Sequence, residues 1–399
     1  MWKYAYYFAK TIEHMIRSLF KKIIDTSIYI ESFFIKKDKH AKRQVLILRK
    51  DTLGDYILFY PTLSSYRKKY SDAEVTLVIS SLFRDLEPLL SSFENIIWFD
   101  AKKFSSSFLY RRKFLLGLSR KGFDIAIQPT FSREPMGDFM ITITGAQERI
   151  GVDGDCTAST EDEKRRNNTI YTKLVTISNS IIMELDKNIA IAEKITGEHV
   201  HVVFPTIDYK LFQEETALQT QKEYELENGK YVIFFPGSGT RFKVWPVEKF
   251  AEIADYFIEK KITPVLCGSN GERDLVESIL MHMKHKEDAV NLSGKTDLPT
   301  MIRLLKNSKC YFGSDTGITH IAAGIQVPSV CLLGGGHFKR FFPYGDLTRN
   351  RIVFDESMTC MNDNWDCAKG LKGGESAPCV KNIAVENVKK EIDILFGIL

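Results

Sequence analysis

Two unbroken apolar runs constrain the fold most: Val45-Leu46-Ile47-Leu48 and Tyr231-Val232-Ile233-Phe234-Phe235. A run without polar alternation is typical of a strand that is covered on both faces, as in a parallel sheet. Each run is followed by a glycine-containing turn and then by a segment with helical spacing. The sequence therefore predicts an α/β protein with two doubly wound, Rossmann-like domains that face each other across a cleft.

Further alternation of apolar and amphipathic segments extends both halves. Strands are predicted at Val75–Ile79, Asn95–Phe99, Asp124–Gln128, Thr263–Cys267, Lys309–Gly313 and Pro328–Leu333. Helices are predicted at Tyr56–Tyr70, Ser180–Thr196, Val247–Lys260, Asn270–Lys284 and Leu298–Asn307. The charged segment Val152–Thr169 predicts a mobile loop. The domain bounds that follow are an arm over 1–43, a first domain over 44–205, a linker over 206–229, a second domain over 230–380 and a C-terminal helix over 381–399.

Charge is concentrated at the N-terminus. The 399 residues carry a formal net charge of +4, and residues 1–43 hold ten Lys/Arg against four Asp/Glu, which is +6 and leaves −2 for the remainder. A slightly negative body disfavours nucleic-acid binding. The length is that of two ordinary domains.

The arm itself predicts an amphipathic helix over Trp2–Phe34, because apolar residues recur at three- and four-residue intervals. Lysines interrupt it too often for a bilayer span, and no signal-peptide cleavage site follows. Two interpretations remain open. The helix could lie on an anionic membrane surface, or it could pack on the protein's own body or on a partner.

Seven cysteines occur without a CxxC pair, and no secretory signal precedes them, so reduced thiols in the cytoplasm are expected. Cys360, Cys367 and Cys379 cluster near the C-terminus. Their spacing fits no standard zinc pattern, and both a metal site and a disulfide remain open.

Ligands of open parallel sheets bind beyond the carboxyl ends of the strands, so the turns there are the candidate sites. The first turn runs from Arg49 to Asp55 and contains Gly54. Asp55 opens the next helix and could either cap it or take a proton from a substrate hydroxyl. Asp51 is a second candidate base, although the position of Asp55 after a glycine favours Asp55.

The second turn follows the Tyr231–Phe235 run. Ser238, Gly239 and Thr240 could approach a phosphate closely, and Lys243 adds a compact positive charge before a helix that starts at Pro246. The spacing matches neither a P-loop nor a dinucleotide fingerprint, which also disfavours a dehydrogenase. The alternative for Lys243 is a solvated surface lysine.

Two more turns complete the set. Glu272 begins a helix, where it could cap the helix or accept hydrogen bonds from a ribose. The corner Asp315-Thr316-Gly317, with His320 nearby, joins a buried strand to a helix whose free N–H groups would favour an anion. Simple helix capping by Asp315 and Thr316 is the alternative there.

Taken together, the motifs resemble glycosyltransferase family 9, the heptosyltransferase family of lipopolysaccharide synthesis, over about residues 44–390. The matching segments, in order, are Ile47–Arg49, Leu53–Asp55 with Pro61, Pro236–Ser238, Lys243–Pro246, Gly268–Glu272, Ser293–Thr296, Asp315–Gly317 with His320, and Pro343–Gly345. The resemblance implies a GT-B fold with the acceptor on the first domain and the nucleotide sugar on the second. It also implies an inverting transfer that uses no metal or other cofactor.

The resemblance also assigns roles. Asp55 would be the general base. The donor would be held by Ser238, Gly239, Thr240, Lys243, Glu272, Asp315, Thr316, Gly317 and His320, with Glu272 facing the ribose and Asp315 and His320 facing the sugar or phosphates. Arg49, Asp51 and Gly54 would contact the acceptor.

The expected activity is transfer of a sugar, with heptose from ADP-heptose as the leading donor, to a lipopolysaccharide core or related cell-surface glycan. The expected partners are therefore a nucleotide sugar and a glycolipid or oligosaccharide acceptor, in the cytoplasm or at the cytoplasmic face of the inner membrane. A GT-B sugar-nucleotide epimerase and a non-catalytic sugar-nucleotide-binding protein are the alternatives.

Overall fold

The computed structural model describes residues 22–202, 204–367 and 375–398. The part of the predicted arm helix Trp2–Phe34 that precedes residue 22 lies outside them. Contacts divide the chain into two compact units. The N-terminal unit comprises the described residues up to Lys50, with Tyr70–Ser81 and Phe93–Thr176; the C-terminal unit comprises Asp51–Lys69, Leu82–Ser92 and the described residues from Ile177 onward. The domain bounds drawn from the sequence stay a prediction.

The N-terminal unit is built on a six-stranded parallel sheet of order β3-β2-β1-β4-β5-β6. Its strands are β1 Gln44–Arg49, β2 Glu74–Ser80, β3 Asn95–Phe99, β4 Ile125–Ile127, β5 Glu148–Val152 and β6 Lys173–Val175. Its helices are α1 over residues 22–32, α4 Ala101–Ser106, α5 Phe108–Arg120, α6 Pro135–Ile143 and α7 Glu161–Asn168. All six residues of β1 are buried, as its unbroken apolar pattern predicts.

The C-terminal unit contains a second six-stranded parallel sheet, of order β12-β11-β10-β7-β8-β9. Its strands are β7 Tyr231–Phe235, β8 Thr263–Leu266, β9 Val290–Asn291, β10 Cys310–Ser314, β11 Ser329–Leu332 and β12 Asn350–Val353. Its helices are α2 Leu53–Phe59, α3 Leu63–Lys69, α8 Glu184–Thr196, α9 Glu215–Glu223, α10 Val247–Glu259, α11 Arg273–His282, α12 Leu298–Asn307, α13 Gly317–Gly324, α14 Pro378–Lys381 and α15 Val385–Ile398.

Packed aromatic rings form the centre of the second core. Phe234 of β7 lies 4.6 Å from the ring of Phe312 on β10, and both contact Phe250 and Phe257 of α10. All four side chains are fully buried. Burial of each such ring contributes about 1.5–3 kcal/mol, so this cluster fixes α10 on the sheet and thereby the turn that precedes it.

One expectation about an irregular segment was wrong. The charged segment Val152–Thr169 is not a loop throughout, because Glu161–Asn168 form the helix α7, in which no residue is buried and a capping box joins Thr160 to Glu163. The segment 206–229 contains α9, whose Ala217 is buried, and its role as a linker stays a prediction. Charge pairing and capping hold α7 together where an apolar face is lacking.

The described part of the arm packs on its own unit. Ile28 of α1 is fully buried in the core formed by β1, α5 and α6, and Arg111 makes a bidentate pair with Asp25 at 2.5–2.7 Å. Within the described residues, no helix combines the length and apolarity that a membrane crossing requires.

Candidate functional site

Two glycines let α2 and α13 pack closely within the C-terminal unit. A Cβ on Gly54 would lie 2.9 Å from Cδ2 of His320, and a Cβ on Gly317 would lie 2.7 Å from the Leu53 side chain. Real Cβ contacts are essentially never this short, so a larger residue at either position would push the helices apart. The close crossing brings the first turn of α2, with Asp55, to the corner that starts α13.

Asp55 does not occupy the capping position of its helix. The residue before the first turn is Thr52, whose hydroxyl donates to Oδ2 of Asp55 at 2.5 Å. This hydrogen bond fixes the orientation of the carboxylate, which is an acceptor when ionised. Its charge acts on both Lys243 and Asp315, so these three groups share one electrostatic environment.

Asp315 and His320 form the floor of the corner. The His320 ring is 2% exposed, stacks on Tyr344 with centroids 5.8 Å apart, and has Nδ1 3.1 Å from the tyrosine hydroxyl. Burial lowers the pKa of His320 to about 3, so the ring is neutral at pH 7. Its Nε2 lies 3.5 Å from Oδ1 of Asp315. Burial raises the pKa of Asp315 to about 6, Lys243 opposes this rise and Asp55 adds to it.

Lys243 lies in a small pocket rather than in solvent. It ends the 3₁₀ turn Arg241–Lys243, and burial lowers the pKa of its ammonium group, against the pull of Asp315 and Asp55. The pocket walls comprise Lys243, Ser314, Asp315, Leu332, Gly334, His337, Trp365 and Val380. Its volume is ≈ 20 Å³, which is room for about one water.

Three residues of this pocket were missed from the sequence. The Trp365 ring centroid lies 4.8 Å from Nζ of Lys243, and His337 contacts the same ring at 6.1 Å. Among the described residues, neither the buried hydroxyl of Ser314 nor the buried indole N–H of Trp365 has a hydrogen-bond partner. Both groups can donate a hydrogen bond into the space beside the lysine, which suits an anionic or hydroxylated ligand.

One of the missed residues, His337, had a sequence signal. Directly after β11, the chain runs Leu333-Gly334-Gly335-Gly336-His337, which is a glycine-rich turn at the carboxyl end of a parallel strand. A Cβ on Gly334 or on Gly336 would lie 2.3 Å from the Trp365 ring. The glycines are therefore needed where the indole lies against the backbone.

A second, larger cavity of ≈ 430 Å³ lies on the other side of the turn after β7, with Gly237, Ser238, Arg241, Glu272 and Asp274 among its walls. Glu272 has a capping role, because its Oε2 accepts from both the backbone N–H and the hydroxyl of Ser269, at 2.7 and 2.8 Å. It also contributes to the wall of the cavity. Gly237 is required here, since a Cβ would lie 1.6 Å from Oε1 of Glu272.

The remaining donor candidates lie near these two spaces. Gly239 and Thr240 are exposed on the turn between Ser238 and Lys243, and a Cβ on Gly239 would have no atom of the described residues within 4 Å. Thr316 precedes α13 and its N–H donates to the Thr319 hydroxyl at 3.2 Å, so this end is partly capped. Gly317 is the first residue of α13.

The acceptor candidates divide between the two units. Gly54 and Asp51 belong to the C-terminal unit, whereas Arg49 ends β1 in the N-terminal unit. Arg49 is 2% exposed and donates through Nη1 to the carbonyl of Pro129 at 2.8 Å. This hydrogen bond gives Arg49 a structural function, and its contact with an acceptor stays a prediction.

The three C-terminal cysteines come near each other as free thiols. Burial raises the pKa of the Cys379 thiol, with Cys360 and Cys367 adding to the rise, and the N–H of Gly335 donates to its Sγ at 3.2 Å. The disulfide alternative is therefore not observed, and the metal alternative stays a prediction.

Comparison with known proteins identifies the family. The model of glycosyltransferase family 9 (heptosyltransferase) matches residues 111–366. The chain belongs to glycosyltransferase family 9. The resemblance inferred from the turns is thus confirmed, and the chain is a transferase. Neither the epimerase nor the binding-protein alternative gains support from this family match.

Individual relatives agree with this family 9 assignment. Lipooligosaccharide heptosyltransferase 2 of Haemophilus ducreyi is 23% identical over 299 residues, which cover 71% of this chain and 81% of the relative. The crystal structure of a family 9 glycosyltransferase from Veillonella parvula superposes with a TM-score of 0.69 and 21% identity, covering 89% of this chain and 97% of that one. The structure of E. coli ADP-heptose lps heptosyltransferase II superposes with a TM-score of 0.64 and 19% sequence identity. The superposition covers 89% of this chain and 99% of that one. These likenesses confirm the predicted GT-B, two-domain α/β fold.

Proposed function

We propose that this family 9 glycosyltransferase transfers heptose from ADP-heptose to a lipopolysaccharide core or a related cell-surface glycan, with inversion at the anomeric carbon. The donor and acceptor are inferred from the relatives, which include an ADP-heptose enzyme and several heptosyltransferases of lipopolysaccharide and lipooligosaccharide. The observation that carries the proposal is the shared environment of Asp55, Lys243 and Asp315 beside the N-terminus of α13.

The nucleoside of the donor fits the larger cavity. Its volume of ≈ 430 Å³ is in the range of small-molecule sites, and Glu272 and Ser238 provide polar groups for a ribose. The diphosphate would then lie beside Lys243, near the backbone of Thr316 and Gly317 at the positive end of the α13 dipole. Gly239 and Thr240 lie on the turn between the two spaces.

The leaving diphosphate gains negative charge as the glycosidic bond breaks. A buried ammonium group and the N–H groups of a helix N-terminus stabilise that charge because they are fixed in place before the reaction. Lys243 is a good candidate for this role, since burial disfavours its charged form until an anion binds beside it. These groups supply positive potential that a divalent cation would supply otherwise, so we propose a metal-independent transfer.

Asp55 is the proposed general base. In the reaction, the acceptor hydroxyl gives its proton to the Asp55 carboxylate while its oxygen forms a bond to the anomeric carbon. The bond between that carbon and the diphosphate oxygen breaks on the opposite face, and ADP leaves with the electron pair. The Thr52 hydroxyl holds the carboxylate in one orientation, which is what a proton transfer from a positioned substrate requires.

The position of the acceptor in the cell follows from its chemistry. A lipopolysaccharide core acceptor is attached to a lipid, and ADP-sugars are intracellular metabolites of the cytoplasm. The proposed site of action is therefore the cytoplasmic face of the inner membrane. Arg49, Asp51 and Gly54 remain the proposed acceptor contacts, with Gly54 setting the space beside His320.

The test is direct transfer. The purified full chain is incubated with ADP-heptose and with lipopolysaccharide from a strain that lacks core heptose, and the product is measured by mass spectrometry together with released ADP. We expect heptose addition and ADP release in equal amounts, retained with a chelator present and absent with UDP- or GDP-sugars. Failure with ADP-heptose and turnover of another nucleotide sugar would refute the donor assignment while leaving the transferase class in place.

A further inference from the structure

Helix α1 has two apolar faces. Its residue Ile28 is fully buried in the core of the N-terminal unit, and Ile24 and Ile35 pack at the edge of the same core. Successive residues of an α-helix are rotated by about 100°, which places Ile23 and Ile30 on the face opposite to this buried side. One apolar stripe therefore fixes the helix to the protein, and a second apolar stripe, with Ile23 and Ile30, lies on the opposite face.

The second stripe is exposed along its length. Ile23 is 56% exposed, Ile30 54%, Phe33 67% and Phe34 84%. The two phenylalanines continue the helical turn, because their N–H groups donate to the carbonyls of Ile30 and Glu31. The Phe33 ring contacts the ring of Tyr29 edge to face, with centroids 4.8 Å apart, and still leaves most of its surface exposed. Isolated exposed apolar residues are ordinary, but four on one face of a short helix form a patch that is typical of an interaction surface.

The two acidic residues of α1 lie away from the exposed stripe, and each pairs with an arginine of the same unit. Asp25 pairs with Arg111 and Glu31 pairs with Arg112, both from α5, so the two carboxylates are neutralised by the protein itself. The outward stripe consequently carries no acidic group.

Basic residues flank the stripe along the chain instead. Lys22 precedes it, and five exposed basic residues follow it: Lys36, Lys37, Lys39, Lys42 and Arg43. Arg43 pairs with Glu148 at 3.6 Å and Lys37 donates to the carbonyl of Gly145 at 3.1 Å, so the basic charge that the proposal uses is chiefly that of Lys22, Lys36, Lys39 and Lys42. Asp38 is the one acid among residues 32–43. An apolar stripe with aromatic residues at its end and lysines next to them matches the requirements of an interfacial helix on an anionic bilayer.

We propose that the outward face of α1, formed by Ile23, Ile30, Phe33 and Phe34, docks the enzyme on an anionic lipid surface. The phenylalanine rings enter the boundary between headgroups and acyl chains, and the lysines that follow contact lipid phosphates. A second copy of the chain fits this surface less well, because two-fold pairing would bring the same cluster of lysines against itself.

The test measures binding of the full chain to vesicles by co-sedimentation, without donor or acceptor. Vesicles of phosphatidylcholine alone are compared with vesicles of phosphatidylcholine and phosphatidylglycerol. The test variant is Phe33→Ser/Phe34→Ser, whose exposed side chains contribute little to folding. The matched control, Met281→Ser/Leu218→Ser, removes two exposed apolar side chains, 74% and 51% exposed, from the other unit.

The wild-type chain is expected to sediment with the anionic vesicles, less so as salt is raised, and weakly with the neutral ones. The Phe33/Phe34 variant is expected to bind roughly tenfold or more weakly, whereas the control keeps the wild-type affinity. Equal binding of the Phe33/Phe34 variant and the wild type would overturn the proposal, and so would absence of wild-type binding.

Light scattering of the wild type and of the Phe33/Phe34 variant tests whether the stripe is instead an interface between two copies of the chain. If light scattering shows a dimer of the wild type that the Phe33/Phe34 variant loses, the surface is an interface between copies and the lipid proposal is wrong. Because none of these measurements involves sugar transfer, failure of this inference and failure of the proposed function are distinguishable.

Discussion

Asp315 should destabilise the folded protein at neutral pH, and replacing it with asparagine tests this. Burial raises the pKa of the carboxyl from 3.8 to about 6. Each pKa unit corresponds to ~1.4 kcal/mol, so the ionised group lowers the free energy of unfolding by up to about 3 kcal/mol. The side chain keeps 23% of its surface exposed, which lets solvent screen the charge and reduces the expected value to ~1–3 kcal/mol.

The sign of the pH dependence follows from the raised pKa. Below pH 3.8 the carboxyl is protonated in both states, and it has no effect on stability. Between pH 3.8 and about 6 the unfolded chain ionises first, so the stability contribution falls as the pH rises. Above about pH 6 the full penalty is present. Asp315→Asn should therefore match the wild type near pH 4 and exceed its stability at pH 8.

Urea unfolding of the ligand-free protein between pH 4 and 8 provides the measurement, with the transition midpoint as the readout because the chain has two units. The control is Asp346→Asn, which removes an exposed carboxyl whose pKa is lowered by hydrogen bonds from Thr348. It should bring no gain at pH 8. A variant Asp315→Asn that is no more stable than the wild type at pH 8 would refute the electrostatic description of the corner.

Three further substitutions test the site. Lys243→Met should weaken ADP binding by roughly ten- to a hundredfold, because a charge-assisted contact with phosphate is lost. Isothermal titration measures the Kd, and an unchanged value would exclude Lys243 from the diphosphate site. Gly54→Ala should lower the free energy of unfolding by ~1–3 kcal/mol, because its Cβ would contact His320. Gly117→Ala, whose Cβ would have no described atom within 4 Å, should raise the free energy of unfolding by ~0.5–1 kcal/mol, and equal effects of the two variants would contradict the close crossing. Trp365→Phe should abolish most of the change in tryptophan fluorescence on ADP binding, because the Trp365 ring forms a wall of the pocket beside Lys243 and a phosphate bound there would change its surroundings; an undiminished signal would contradict this.

The central strands were predictable because burial on both faces leaves an unbroken apolar pattern. The bounds of β3 and β7 agree with the sequence prediction, and those of β1 and β2 agree within two residues at either end. The short strands β6 and β9 were not predicted. They have three and two residues at the edges of their sheets, and half or more of their side chains are partly or fully exposed, so no apolar run marks them.

Helix α7 shows a different kind of failure. Its sequence, Glu161 to Asn168, has no apolar face, and polarity was interpreted as mobility. The capping box from Thr160 to Glu163 was visible in the sequence, and three acidic residues in the first turn with basic ones in the last complement the helix dipole. Local signals of this kind can specify a helix without an apolar face.

The candidate site was predictable where chemistry follows a strand directly. Lys243, Asp315 and His320 were identified from turns after β7 and β10. Trp365 was not, because it is distant in sequence from Lys243 and no local pattern places its ring there. The burial that lowers the pKa of His320 also depends on Tyr344 and on the absence of a side chain at Gly54, which only the fold brings together.

Substitution of the proposed base tests the central claim most directly. Asp55→Asn keeps the shape of the side chain and removes its ability to take a proton. With ADP-heptose and a heptose-deficient acceptor, we expect kcat to fall by roughly a hundredfold or more, the scale of general-base catalysis, while the Kd for ADP stays within about threefold of wild type. Full turnover by this variant would contradict the account.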